Sequence, residues 1–103
     1  MAELTVISWR DIPAQVVARA GRRSARAQLP ARFQEAIDAA AMRAGLTGSD
    51  EYLEQWRRES RSCGDDLEAE VAAEVARLGA AYDNGRLTAL ARAGGIAGGE
   101  EGA

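Results

Sequence analysis

The side chains here that can do chemistry are mostly guanidinium groups. All thirteen cationic residues are Arg, and there is no Lys and no His. Without imidazole the chain lacks the commonest general base near neutral pH and the commonest metal ligand. One Cys and no His rule out a zinc site of the usual kind and a Cys–His nucleophile pair. Arg10, Arg19, Arg22, Arg23 and Arg26 fall close together, a spacing suited to binding an anion or an acidic surface. Asp11 is the one acid embedded in the apolar front of the chain, beside Arg10. It is expected to close a turn, and an acid–base role would require a pocket around it. Cys63 sits among polar residues near several Arg, which would lower the pKa of a reactive thiol. An incidental thiol is the plainer expectation. No glycine-rich phosphate loop follows a strand. No cofactor and no metal are called for.

The totals bound the rest. A chain of 103 residues makes one domain with a small core. Residues 1–64 hold ten Arg against eight acids, and residues 65–103 hold three against eight. A basic front is therefore joined to an acidic back. No leader-like or membrane-spanning apolar run is present, so a soluble cytoplasmic protein is expected.

Elements follow from pattern. Leu4–Trp9 reads as a strand, β-branched and apolar on both parities, as for a central strand. Asp11, Ile12 and Pro13 make a corner. Gln15–Ala20 and Ser24–Leu29 read as two strands of a hairpin around Gly21, Arg22 and Arg23. Ala25, Ala27 and Leu29 point inward; Arg19 and Arg26 share the polar face. Pro30 starts a helix over Ala31–Ala44, with Phe33, Ile37, Ala40 and Ala44 as its stripe and Gly45 as a left-handed cap. Ser49 caps a short helix edged by Tyr52, Leu53 and Trp56, and Glu59–Gly64 reads as a loop. Asp65 or Asp66 caps the longest helix, with Leu67, Val71, Val75, Leu78 and Tyr82 inward and Glu68, Glu70 and Glu74 toward water. Asp83, Asn84 and Gly85 break it before a last helix, Arg86–Ala93. Residues 94–103 read as a flexible Gly-rich tail after a single domain over 1–93. The expected class is α+β: a small, mainly antiparallel three-stranded sheet covered on one face by three to four helices.

The octapeptide Trp9-Arg10-Asp11-Ile12-Pro13-Ala14-Gln15-Val16 resembles a small bacterial family labelled virulence factor, after a domain of the staphylococcal conserved virulence factor C. The likeness continues through Gly21-Arg22-Arg23, Leu29-Pro30, Arg32-Phe33, Ala36-Ile37-Asp38, Ser49-Asp50, Tyr52-Leu53, Trp56, Tyr82-Asp83 and Arg86-Leu87. It carries no known catalytic residue. What it implies is a helper or small subunit associated with folate and corrinoid one-carbon metabolism. The expectation is therefore a non-enzymatic protein-interaction module, in a hetero-complex or homodimer. Its partner-binding residues would be Trp9, Arg10, Asp11, Gln15, Arg19, Arg22, Arg23, Arg26 and Trp56. One alternative is a nucleic-acid binder using the Arg-rich hairpin. Another is a small enzyme acting on an anionic substrate through Asp11 and Arg10.

Overall fold

The computed structural model describes residues 2–46, 48 and 50–96. It is an α+β fold with the order β1 (Glu3–Trp9), β2 (Ile12–Ala20), β3 (Arg23–Gln28), α1 (Ala31–Ala44), α2 (Asp50–Glu54), β4 (Trp56–Ser62), α3 (Leu67–Ala81) and α4 (Asn84–Arg92). The strands form one antiparallel sheet in the order β3-β2-β1-β4. The apolar residues on both parities of β1 thus mark a central strand, as the pattern requires.

The three-stranded expectation is corrected by β4. Trp56, Arg57 and Arg58 do not finish a helix, and Glu59–Ser62 is not a loop; the whole stretch pairs with β1 from Trp9↔Trp56 to Glu3↔Ser62. Its sequence, WRRESRS, is polar on both parities. Hydrophobic alternation cannot reveal such a strand, because neither of its faces is buried. The hairpin is also tighter than expected, with Ala20 paired to Arg23 across a turn of Gly21 and Arg22.

Ladder register sorts the side chains into two faces. On one, Ala25–Ala18–Leu4–Arg61 and Ala27–Val16–Val6–Glu59 form cross-strand rows. Helix α3 lies against β2 and β3 on this side, where the small Ala side chains let it approach. Helix α1 packs on α4, and Phe33 meets the Tyr82 ring at 5.9 Å. The core joins both regions: Leu4, Val16 and Ile12 from the sheet, Phe33 and Ile37 from α1, Leu67 and Leu78 from α3, Leu87 and Leu90 from α4.

Helix ends are closed by local chemistry. Gly45 adopts φ 73° and ψ 24°, and the Leu46 N–H donates back to Ala41 O at 2.9 Å, folding Leu46 onto the core. Asp66 caps α3 by accepting from the Ala69 N–H, and Asp83 caps α4 by accepting from the Arg86 N–H. The expected Ser49 cap lies outside the described residues.

Glu74 departs from its expected exposure. It is 4% exposed and is gripped by Arg61 of β4 at 3.1 Å and by Arg77 of its own helix. The register explains this: Arg61 occupies a β4 position that points to the helix-covered side. The hydrogen bond from Arg77 holds the Glu74 carboxyl below its ordinary value of 4.5, against burial, which pushes it up; Arg61 adds to the lowering. A depressed carboxyl pKa contributes stability above the ordinary value, and that contribution is lost as pH falls through the lowered one. Because both Arg are more than half exposed, Glu74→Gln should cost only about 1 kcal/mol at pH 7. Thermal melts should show the gap between variant and wild type closing as pH falls below the ordinary carboxyl value of 4.5 and through the lowered one.

The turn after α4 is also fixed. Gly94 and Gly95 are buried rather than part of a tail; residues 97–103 of the expected tail lie outside the described residues. Gly95 sits at φ 92°, and a Cβ there would come within 3.0 Å of the Trp9 ring. Gly95→Ala should therefore destabilise the fold by about 1–3 kcal/mol in chemical denaturation.

Candidate functional site

The opposite face of the sheet has a different character. Its rows are Gln28–Gln15–Ile7–Arg58, Arg26–Val17–Thr5–Ser60 and Ser24–Arg19–Glu3–Ser62. Hydroxyls, amides and guanidiniums dominate, with Ile7 and Val17 as the apolar centre. Thr5 and Ser60 hydrogen-bond across the strands at 2.8 Å. Val17 is buried although it lies on this face, and Arg26 beside it has a stem long enough to cover it. Arg19, Arg26 and Arg58 are exposed and make no ion pair or hydrogen bond among the described residues, and the same holds for Arg22 at the hairpin tip. Glu3 is the one acid in these rows. It stands opposite Arg19 without closing an ion pair.

Where the rows meet the start of α1, the face deepens into a groove of about 930 Å³. Ile7, Ala14 and Leu29 line it as apolar surface, Gln15, Gln28 and Gln34 bring amides, and Trp56, Arg57 and Arg58 close the β4 side. Trp56 is held edge-on against Tyr52 at 6.2 Å, and Tyr52 stacks on Trp9 at 5.4 Å.

The residues of the octapeptide divide between core and surface. Trp9 is 0% exposed, and its indole N–H donates to Tyr52 O at 2.8 Å, so it offers a partner no surface. Arg10 is occupied internally. Its Nε donates to Gln55 Oε1 at 3.1 Å, a terminal nitrogen donates to Gly94 O at 2.9 Å, and its guanidinium lies over the Trp9 ring. Asp11 occupies the β1–β2 turn and faces Arg57 at 3.4 Å. A small cavity of about 270 Å³ opens beside Asp11, with Ser8, Glu59 and Tyr82 on its wall. Gln15 reaches the groove. On the hairpin, Arg23 points back to Asp65 O at 3.4 Å and longer, a weak contact, while Arg19, Arg22 and Arg26 face outward. The structure thus brings Gln15, Arg19, Arg26 and Trp56 to one face and withdraws Trp9 and Arg10 from it.

Arg58, Ser60 and Ser62, with Thr5 and Ile7, belong to the face but carry no sequence signal of their own. Their parity means something only once β4 is known to pair with β1.

Cys63 is half-buried after β4, with its N–H donating to Ala2 O. Burial pushes its thiol above the ordinary 9.0; Glu70, Asp65 and Glu3 push the same way, and Arg61 opposes them. The activating Arg surroundings considered from sequence are outweighed by acids. Cys63 should react with a disulfide reagent at pH 7.5 more slowly than free cysteine, with a rate still climbing above pH 9. Stopped-flow thiol titration measures this directly.

Among the described residues no group of three or more Cys, Asp or Glu side chains is placed to hold a metal ion, and no helix is long and apolar enough to cross a membrane. Fold and surface together define an α+β domain with one sheet face covered by helices and the other bare except at its Trp9 end, which Tyr52 and Gly95 cover. The chain belongs to the virulence factor family, whose model matches residues 7–91. No curated protein and no solved structure matches it.

Proposed function

We propose that this protein is a non-enzymatic interaction module, a small subunit or accessory factor that lays the bare face of its sheet against an acidic surface of a partner protein. The observation that carries this reading is the distribution of guanidinium groups. Arg10, Arg32, Arg61, Arg77 and Arg86 bond within the molecule. Arg19, Arg26 and Arg58 stand together on an uncovered surface. Charges so placed steer and orient a complementary partner. A protein partner suits the face better than nucleic acid does, since among the described residues Trp56 is the only aromatic that lines its groove and single strands are held by several stacking rings. An enzyme working through Asp11 and Arg10 is less well supported, because Arg10 is committed to Gln55 and Gly94 and Asp11 faces Arg57. The link to one-carbon metabolism rests on the family resemblance, and the geometry adds nothing to it.

Isolation from the native host at low salt should recover the protein in a complex that weakens as ionic strength rises. The double variant Arg19→Glu, Arg26→Glu should lower affinity for that partner at least tenfold. Recovery of free monomer alone, or a charge reversal without effect, overturns the reading. A mobility shift with oligonucleotides at low salt, lost in the same variant, would transfer the face to nucleic acid.

A further inference from the structure

On the docking role just proposed, we infer that the groove at the foot of the bare face takes a short acidic peptide segment of the partner, with one large apolar side chain at its centre. The groove, about 930 Å³, is larger than one side chain needs and lies in the range of built ligand sites. The row from Gln28 to Arg58 crosses four strands, which at about 4.8 Å each makes it roughly 14 Å long. That accommodates about four extended residues.

Its lining specifies the occupant. Ile7 and Leu29 form an apolar floor beside the Trp56 indole, a seat for an aliphatic or aromatic side chain. The indole is already fixed by the Trp9–Tyr52–Trp56 ring series, so seating a side chain against it costs little ordering. Gln15 and Gln28, paired across β2 and β3, offer both donors and acceptors, as an extended peptide backbone requires. Arg58 ends the row and Arg26 begins the next, two guanidinium groups with no ion partner among the described residues. Each is suited to a carboxylate. A basic segment would be repelled. A wholly apolar one would desolvate the amides and Arg58 with nothing in return.

The test is a selection of octapeptides from a naive displayed library on the folded protein at low salt, followed by titration of the enriched peptides by tryptophan emission. Trp9 is buried and Trp56 lines the groove, so a change in emission reports the groove. The enriched peptides should carry one Leu, Ile or Phe flanked by Asp or Glu. They should perturb Trp56 and bind at least tenfold more weakly to Arg58→Glu and to Gln15→Glu. Arg43→Glu on α1 should bind them as wild type does, and circular dichroism should show all three variants folded. Enrichment of peptides without acids, or equal binding by Arg58→Glu and Gln15→Glu, overturns the inference. If no octapeptide is enriched while the Arg19, Arg26 double variant still loses the partner, the groove assignment fails and the docking role stands. If groove peptides behave as described but the partner ignores that double variant, the docking role fails and the groove remains a peptide site.

Discussion

The fold depends on how one buried indole is held. Trp9 ends the central strand, and three separate parts of the chain converge on it. Tyr52 of α2 stacks on the ring and takes its N–H; Gly95, after α4, lies against its edge; Arg10 covers it with a guanidinium that reaches Gln55 and Gly94. The backbone takes part too. The Arg10 N–H donates to Gln55 O and the Asp11 N–H to Gly95 O. Arg10 sits at φ 52°, unusual for a residue with a Cβ, and these bonds hold it there. The sheet, the short helix and the last helix are joined at this point. With Ile12 and Pro13 also buried, most of the octapeptide Trp9–Val16 serves the scaffold.

Arg does structural work here that Lys would do poorly. Arg32 spans Gly79 O and Tyr82 O, tying α1 to the open carbonyls at the end of α3. Arg86 reaches Ala81 O at the same helix end while lying over the Tyr82 ring at 4.1 Å. A planar fork with several donors can satisfy two acceptors and stack at once; an ammonium on a flexible stem cannot. The all-Arg composition is open to a coding-bias explanation. Whatever its origin, a good share of these side chains have defined partners, which makes the unpartnered set on the bare face informative.

The sequence makes legible those elements whose pattern reflects burial. The span of α1, its Gly45 cap, the inward Ala of the hairpin and the Asp66 cap all follow from local rules that tertiary contacts do not override. The missed features share one cause. Strand β4 is recognised only by its pairing with β1, since its side chains see water on both faces. Glu74 is buried only because Arg61 arrives opposite it, and Arg61 arrives only if β4 exists. The groove inherits the same dependence: Trp56 and Arg58 line it because β4 carries them there. Part of the candidate site, Gln15 with Arg19 and Arg26, was readable from the hairpin alternation, and Trp56 was a candidate by its residue type. Arg58 and the groove required a long-range pairing that no local pattern encodes.

That pairing also resolves an apparent conflict in the charge. The protein is net negative, yet its exposed sheet face is positive apart from Glu3. The acids that set the total, Asp65, Asp66, Glu68 and Glu70 among them, lie at or along α3 on the helix-covered side. Folding therefore separates the two signs across the thickness of the domain. A surface of this kind attracts an acidic partner from one direction only, because the opposite side repels it. Strand β4 widens the positive side by one row position at each level and brings Arg58 to the mouth of the groove. The edge strand that local pattern could not show is thus the element that extends an Arg-bearing hairpin into a wider face of positive charge.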